Sequence, residues 1–486
     1  MSGSRYLARK SVHDLMEEGE SHVLNRALGP WNLIALGIGA IIGAGIFVIT
    51  GTAAAQYAGP GIMLSFVLGA IACGFVGLCY TEFATLIPVA GSAYTYAYAT
   101  LGELVAWMIG WDLILEYAMV GATVSVGWSG YLVSLLRDFG IQLPAVLTAS
   151  PGTMIVLADG PQVHAWFNLP AFLVVAALTL LLIVGIRESA RFNVAIVAVK
   201  VTVVLVFIVA GAGFVVTANW HPFIPENTGE FGHFGWTGVL RGAAVVFFAY
   251  IGFDAVSTAA QEAKNPQHDM PIGILGSLII CTLLYMAVAA VLTGMVPYPQ
   301  LNVPDPIARG IDVIGVPWLA VLVKIGALMG LTSVILVFLY GQSRIFFTMS
   351  RDGLLPPVFR ALHSRFRTPY LGHLLVGLTV GVVGGLVPLS ILGELVSIGT
   401  LFAFVVVCAA VLYLRRTQPH LKRPFRCPLV PVVPILGILS CLFLMIGLPL
   451  DTWLRLVVWL AIGLVIYFVY GRWHSTLEER RTAAAA

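Results

Sequence analysis

The sequence predicts an all-helical integral membrane protein with twelve membrane-spanning helices. Of its 486 residues, 59% are hydrophobic. Only 10% are Asp, Glu, Lys or Arg, whereas about a quarter are charged in an ordinary soluble domain. The 51 glycines and 26 prolines are spread through apolar stretches, as in membrane helices that break where neighbouring groups satisfy the backbone. These observations exclude a water-soluble globular protein.

Long apolar runs with few charges mark the predicted spans. In chain order they cover residues 31–56, 61–87, 103–136, 168–186, 191–217, 238–262, 271–296, 317–348, 370–387, 391–414, 431–449 and 452–473. The polar segment 1–30 has no apolar core of the kind found in a signal peptide. Residues 474–486 form a polar tail.

The distribution of basic residues predicts the orientation of the chain in the cell membrane. With a cytoplasmic N-terminus, most of the 26 Lys and Arg residues fall in cytoplasmic segments, as the positive-inside rule requires. The basic residues that fall outside are Arg137, Arg241, Arg309 and Arg455. Both termini are therefore predicted to be cytoplasmic. The basic clusters at 351–367 and 415–426 are expected to contact anionic lipid, so they require no nucleic acid.

The sequence contains no recognisable catalytic or metal-binding motif. Its six cysteines are scattered through apolar runs without the spacing of metal ligands. It has no HExxH sequence and no phosphate-binding loop. We therefore expect no enzyme, no metal site, no cofactor and no ATP-driven pump.

The first span contains a cluster of glycines that favours a break in the helix. Gly43, Ala44 and Gly45 follow one another at about 18 Å from Trp31, for a rise of 1.5 Å per residue. This depth is close to the middle of the membrane. An unwound turn there would expose backbone amides and carbonyls to a ligand, and the alternative is close helix packing through small residues.

The sixth span carries the counterpart of this cluster, with Gly252 followed by Asp254. Because spans 1 and 6 are offset by five, equivalent helices of residues 31–217 and 238–414 would cross the membrane in opposite directions. Paired broken helices mark the substrate site in such inverted repeats. Half-helix amides attract a carboxylate and half-helix carbonyls attract an ammonium group, so the pair suits an α-amino acid.

Several motifs resemble those of a known transporter family. They are GIGAIIGAGIFVITG, YTEFATLIPVAGSAYTYAY, the span 6 segment ending in QEAKNP, and GQSRIFFTMSRDGLLP. They are similar to the amino acid, polyamine and organocation (APC) superfamily, and most closely to a bacterial member of its cationic amino acid transporter branch. The resemblance implies a LeuT-like five-plus-five inverted repeat, followed by two additional C-terminal helices within residues 431–473.

The resemblance also implies where an amino acid binds. The substrate carboxylate is expected to meet the backbone of the first break, at Ile42, Gly43, Ala44, Gly45 and Ile46. The ammonium group is expected to meet carbonyls around Phe248, Ala249 and Ile251.

Lys200 lies deep in span 5, about 14 Å along the helix from Arg191. A central lysine costs about 2.5 to 3.5 kcal/mol on membrane insertion scales, so it should face protein, although snorkelling is the alternative. The resemblance implies that its amine replaces a sodium ion and contacts a carbonyl near Ile42 or Gly43 and the hydroxyls of Thr332 or Ser333. Burial disfavours the charged amine, so proton loading is expected to replace sodium.

Two acidic residues complete the predicted proton-coupling group. Glu116 lies one turn after Asp112 on the same helix face and either has a structural role or communicates with Lys200 or the substrate ammonium. Asp254 follows the span 6 break and either caps the second half-helix or carries a proton.

The predicted pocket wall consists of Phe248, Ile251 and Phe253 from span 6, with Met119 and Thr123 from span 3 and small residues from span 8. A cationic substrate would need Glu116 as its partner, whereas a small neutral amino acid fits better if protein donors engage Glu116. The sequence therefore predicts an importer of cationic or small neutral L-amino acids that works by proton-coupled alternating access. An exchanger, a sensor on a transporter fold, and a small accessory membrane subunit remain open.

Overall fold

A computed structural model describes residues 28–87, 92–156, 162–185, 190–254, 256–257, 263–366 and 368–477. The predicted N-terminal segment up to residue 27, the tail beyond residue 477 and the end of predicted span 6 at 258–262 lie outside the described residues.

The described chain is helical nearly throughout. Its α-helices are Pro30–Ile41 (α1), Thr50–Ala53 (α2), Ile62–Leu86 (α3), Ser92–Thr100 (α4), Glu103–Asp138 (α5), Leu169–Val184 (α6), Ala190–Ala212 (α7), Gly235–Val246 (α8), Pro266–Met295 (α9), Pro306–Val313 (α10), Pro317–Arg351 (α11), Tyr370–Leu386 (α12), Leu389–Thr417 (α13), Val432–Ile446 (α14), Leu450–Ile466 (α15) and Arg472–His474 (α16). The strands Met154–Val156 (β1) and Gln162–His164 (β2) form an antiparallel hairpin in which Ile155 pairs with Val163.

Seven helical stretches in the described parts of the chain are long and apolar enough to cross a membrane, and four shorter apolar helices accompany them. The predicted fold class, an all-helical membrane protein, is therefore confirmed. Helices also lie within each of the twelve predicted spans, while the number of crossings stays a prediction. The short helices α4 and α10 and the β-hairpin were not anticipated, because they lie between the apolar runs.

Proline marks the start of several long helices. Pro30, Pro266, Pro306 and Pro317 occupy the first turn of α1, α9, α10 and α11. The first turn has amides without helical partners, and proline lacks the N–H that would need one. These prolines therefore mark the residues at which the four helices begin.

The longest helices pack around the two breaks. The 36-residue helix α5 lies along both α11 and α13, and α1 packs against α9. Most of the α5 surface is buried. This arrangement places the end of α1 and the turn after α8 next to the middle of α5 and α11.

Ion pairs tie the helix ends together on both sides. At the predicted cytoplasmic end, Glu82 accepts hydrogen bonds from Arg415 Nε at 2.9 Å and Nη2 at 2.8 Å, and Arg423 Nε lies 3.1 Å from it. At the opposite end, the buried Lys324 amine lies 2.7 Å from Asp138 and 2.8 Å from Asp312. The charges at these helix ends are thus paired within the protein.

Candidate substrate site

The first span is broken at the predicted glycine cluster. Helix α1 ends at Ile41, Ile42 is extended with φ −70° and ψ 104°, and a π-helical turn begins at Gly45. The break frees carbonyls that an unbroken helix would bond to amides four residues later. Side chains replace those amides: Lys200 Nζ donates to the Gly39 carbonyl at 3.0 Å, and the Tyr285 hydroxyl donates to the Ile41 carbonyl at 2.8 Å.

The sixth predicted span is broken as well. Helix α8 ends at Val246 and passes through a 3-10 turn to Ile251, which is extended with φ −59° and ψ 133°. Gly252 follows with φ +115°, a conformation that residues with a Cβ rarely adopt. A Cβ on this residue would also lie 2.6 Å from the Ala40 carbonyl oxygen. Both backbone conformation and space therefore require glycine here.

The two breaks pack directly against each other. A Cβ on Gly45 would lie 2.2 Å from Ala249 Cα, so the two backbones are in contact because Gly45 has no side chain. The Tyr285 hydroxyl, on α9, lies 2.8 Å from the Ile41 carbonyl and 3.0 Å from the Ala249 carbonyl. One side chain thus joins the carbonyl ends of both broken helices.

A small cavity lies at the junction of the two breaks. Its lining residues are Ala40, Ile41, Gly43, Ala44, Gly45, Val120, Phe248, Ile251, Val334 and Phe338. It has room for about one water molecule. The side chains around it are apolar, so the polar groups that remain for a ligand belong to the backbone. In this conformation the site is closed.

The predicted substrate-binding residues fall into two groups. Gly43, Ala44, Gly45, Phe248 and Ile251 line the cavity. The remaining backbone positions, at Ile42, Ile46 and Ala249, are buried in or beside the breaks.

The other three predicted wall residues are buried beside the cavity residues rather than among them. Val120 is the α5 residue in the lining, next to Met119. Thr123 is one helical turn away, and its hydroxyl donates to the Met119 carbonyl at 2.7 Å. The Phe253 ring lies 5.8 Å from the Tyr80 ring and 5.2 Å from the Phe404 ring.

Lys200 is buried at 2% exposure between α7 and the elements of the first break. Its stem lies against Gly330 of α11, where a Cβ would be 3.2 Å from Lys200 Cγ. Its amine bonds to the Gly39 carbonyl, three residues before the predicted Ile42. The lysine therefore braces the C-terminal end of α1, and the buried thiol of Cys281 on α9 lies within electrostatic range.

The hydroxyls predicted to contact Lys200 have other hydrogen bonds. Thr332 donates to the Leu328 carbonyl at 2.7 Å and accepts from Trp128 Nε1 at 3.0 Å. Ser333 donates to the Gly330 carbonyl at 2.8 Å. Both residues are on α11, the helix that packs against the lysine stem.

The two predicted acidic residues lie within electrostatic range of each other, and neither lines the cavity. Glu116 is 2% exposed and interacts with the Thr400 hydroxyl of α13 and with the charge on Asp254. Asp254 accepts a hydrogen bond from the Gly252 amide at 3.2 Å. This contact is to the amide before Asp254, within the break, whereas the predicted cap was on the half-helix after it.

Comparison with known proteins identifies the family. The sequence profile of the amino acid permease family matches residues 28–473. The chain belongs to this family. Its members form part of the APC superfamily, so the resemblance found in the motifs is confirmed, and the relatives below are transporters rather than enzymes.

Three relatives align with the permease over almost all of its length. The branched-chain amino acid permease BcaP of Bacillus subtilis is 50% identical over 99% of this chain and 100% of its own. The methylthioribose transporter of the same organism is 46% identical over 98% of this chain and 100% of its own. Cationic amino acid transporter 9, chloroplastic, of Arabidopsis thaliana is 36% identical over 97% of this chain and 92% of its own.

Sequence reasoning missed six residues of the permease site, of which Ala40 and Ile41 line the cavity at the end of α1. Val334 and Phe338 line the cavity, and their spacing of four residues places them on one helix face, so this signal was available. Val120 is one position from the predicted Met119. Tyr285 has no local signal, because its two carbonyl partners are on other helices.

Proposed function

We propose that the permease imports neutral, apolar L-amino acids, with branched-chain amino acids as the preferred class, by proton-coupled alternating access. The observation that carries this proposal is the cavity between two broken helices, which combines backbone polar groups with apolar walls. Amides at the first break receive the carboxylate, and carbonyls at both breaks receive the ammonium group.

The cavity walls favour a neutral substrate side chain. Val120, Phe248, Ile251, Val334 and Phe338 supply aliphatic and aromatic contacts, which suit a branched hydrocarbon chain. A cationic side chain would require a desolvated acid in the pocket. Glu116 is absent from the cavity lining and is engaged by a protein hydroxyl. Of the two substrate classes that the sequence left open, the neutral one therefore fits better.

The printed names of two relatives point in the same direction. Besides the Bacillus subtilis protein, the branched-chain amino acid permease BcaP of Lactococcus lactis is 36% identical over 95% of this chain. The plant relatives are named as cationic amino acid transporters, so arginine is the informative competitor.

For the architecture, we propose twelve spans in the cell membrane with both termini cytoplasmic. Residues 31–217 and 238–414 form the two inverted five-helix repeats, and residues 431–473 form the two additional helices. The matching breaks in the first span of each repeat support this arrangement, because inverted repeats place broken helices in corresponding positions.

Lys200 couples transport to protons in this proposal. A protonated amine donates to the Gly39 carbonyl and holds α1 against α7 and α11. Loss of the proton weakens this brace, so α1 becomes free to move. Glu116 and Asp254 are the proposed partners in proton transfer on the opposite side of the breaks.

Uptake by purified protein in proteoliposomes tests the proposed function. With an inward proton gradient, we expect accumulation of labelled leucine that is reduced by valine or isoleucine and unaffected by millimolar arginine. Competition by arginine would contradict the neutral substrate class, and uptake of methylthioribose instead of leucine would contradict an amino acid substrate. Accumulation only after internal preloading would indicate an exchanger, and binding without uptake would indicate a sensor.

We predict that Lys200→Met abolishes leucine accumulation driven by a pH gradient while leucine exchange at equal internal and external pH continues. The reason is that methionine fills the space of the lysine stem but carries no proton. Lys422→Met, which changes an exposed lysine, is the control and should accumulate leucine normally. Gradient-driven accumulation by Lys200→Met at the wild-type level would refute the coupling role.

A further inference from the structure

Asp112 is a buried acid that has no role in the mechanism proposed above. It is 0% exposed on α5 and faces α13. A Cβ on Gly399 would lie 3.1 Å from Asp112 Oδ1, so the carboxyl packs against bare backbone of α13. Neither carboxyl oxygen has a hydrogen-bond partner among the described residues.

The described groups near Asp112 provide no positive charge. Along α5, Glu116 is one turn away and interacts electrostatically with both Asp112 and Asp254. The phenols of Tyr80 and Tyr117 lie within electrostatic range of Glu116 and Asp254. On α13, Gly399 has no side chain to offer. The neighbouring Thr400 hydroxyl donates to the Val396 carbonyl and interacts with Glu116.

Two other N–H donors, one on α11 and one on α5 itself, are already bonded elsewhere. The Gln342 amide on α11 donates to the Ile114 carbonyl at 2.9 Å. The Trp111 indole donates to the Trp459 carbonyl of α15 at 2.8 Å. An ionised Asp112 would therefore be an anion without a described partner at a site with no solvent exposure, which is among the costliest arrangements in a membrane protein.

We propose that Asp112 is a proton-binding site of the permease, occupied while the cytoplasmic half is closed and emptied when that half opens. This inference rests on the proposed alternating access, because it requires an open state in which water reaches the carboxyl. The contact that would open and close is the interface between α5 and α13 at Asp112 and Gly399, which we call the seam. The seam packs tightly because Gly399 has no side chain.

The position of Asp112 along α5 determines the side of the membrane on which its proton would be released. Helix α5 begins at Glu103 at the predicted cytoplasmic end, so Asp112 lies about 14 Å along the helix and Glu116 about 20 Å. When α13 separates from α5, the O–H bond of Asp112 breaks, the proton passes to cytoplasmic water and a hydrated carboxylate remains. Before the seam closes again, the carboxylate takes up a proton from water or from Glu116.

Difference infrared spectroscopy of the purified protein in lipid, first without substrate and then with leucine, tests this inference. We expect the carbonyl stretching band of a protonated carboxylic acid in the wild type at neutral pH, and its loss in Asp112→Asn, which is neutral and of equal size. Addition of leucine in deuterated water should accelerate the isotope shift of this band, because opening admits solvent.

Three variants serve as controls. Asp451→Asn changes an exposed acid on α15 and should leave the spectrum unchanged. Glu116→Gln shows how much of the carboxylic acid band comes from the neighbouring Glu116. If Asp112→Asn fails to fold, Asp112→Ser replaces it, because a serine hydroxyl can bond to a carbonyl of its own helix.

A spectrum in which a folded Asp112 variant retains the full wild-type band would overturn the inference. So would a pH titration that shows Asp112 ionised in the closed protein. These outcomes are independent of the leucine uptake assay, so failure of the proposed substrate or of proton coupling is distinguishable from failure of the proton site.

Discussion

Gly45 is the residue on which the contact between the two broken helices depends. Its missing side chain lets the first break approach Ala249 to a distance that no Cβ would tolerate. Gly252 performs the complementary role at the second break, where it faces the Ala40 carbonyl. The closed cavity thus requires glycine at these two positions for steric reasons.

We predict that Gly45→Ala reduces uptake by about fivefold or more. A methyl group would meet Ala249 Cα at 2.2 Å, and overpacking of this kind costs about 1 to 3 kcal/mol. That cost depopulates the closed conformation by about 5- to 150-fold, and each cycle of the proposed alternating access passes through this conformation. Uptake of labelled leucine in proteoliposomes measures the effect.

Gly74→Ala is the matched control for this prediction. Gly74 also lies in a membrane helix, α3, but a Cβ there meets nothing within 4 Å. We expect Gly74→Ala to transport normally, since alanine is favoured over glycine in a helix interior. Normal transport by Gly45→Ala would show that the two breaks separate readily.

At the scale of the helices, the outer ends of α5, α10 and α11 are joined by charged groups. Lys324 is completely buried on α11 and pairs with Asp138 at the end of α5 and with Asp312 on α10. Asp305 precedes α10 and interacts with Ser134 of α5. The short helix α10 is therefore held by its polar contacts with two longer helices.

We predict a pH-dependent stabilisation by Asp305→Asn. Burial raises the pKa of the Asp305 carboxyl to about 6, despite the Ser134 hydrogen bond and the attraction of Lys324. The unfolded carboxyl titrates near about 4, so the folded protein binds more protons between about pH 4 and 6. The free energy of unfolding should therefore fall as the pH rises through this range, and asparagine removes that loss.

Thermal unfolding of the purified protein measures this effect. The melting temperature of Asp305→Asn should match the wild type near about pH 4, exceed it increasingly up to about pH 6, and exceed it by a constant amount above that. Glu226→Gln, in an exposed loop, should show no such trend. A melting-temperature difference independent of pH would contradict this account of Asp305.

At the scale of the whole molecule, the proposed topology places the two sets of ion pairs on opposite sides of the membrane. The cluster of Glu82 with Arg415 and Arg423 would face the cytoplasm, and the cluster of Lys324 would face outward. Both clusters bridge helices that are distant in sequence. They therefore fix the ends of the bundle around the central breaks.

Cysteine labelling in cells tests this topology. All six native cysteines are buried, so an introduced cysteine at an exposed position dominates the reaction. We expect a membrane-impermeant maleimide to label Glu226→Cys in intact cells and Ser364→Cys only after permeabilisation, since the proposal places these exposed residues on opposite sides. Labelling in the reverse pattern would invert the proposed orientation.

The success of sequence reasoning differed between local and long-range features. The glycine clusters predicted the position of the breaks, because helix interruption is a local property of the backbone. Lys200 was expected to reach a carbonyl of the first break, and it bonds to one nearby, at Gly39. In contrast, Tyr285 and the partners of Lys324 could not be predicted, because their contacts depend on how distant helices pack.

The closed cavity has a consequence for the energy supply of the cell. Its capacity of about one water molecule leaves no chain of solvent along which hydronium could hop across the lipid at this point. A copy that waits in this conformation acts as an electrical insulator. Under the proposed proton coupling, a cell could therefore hold the permease at high density in its membrane without dissipating the proton gradient that would drive it.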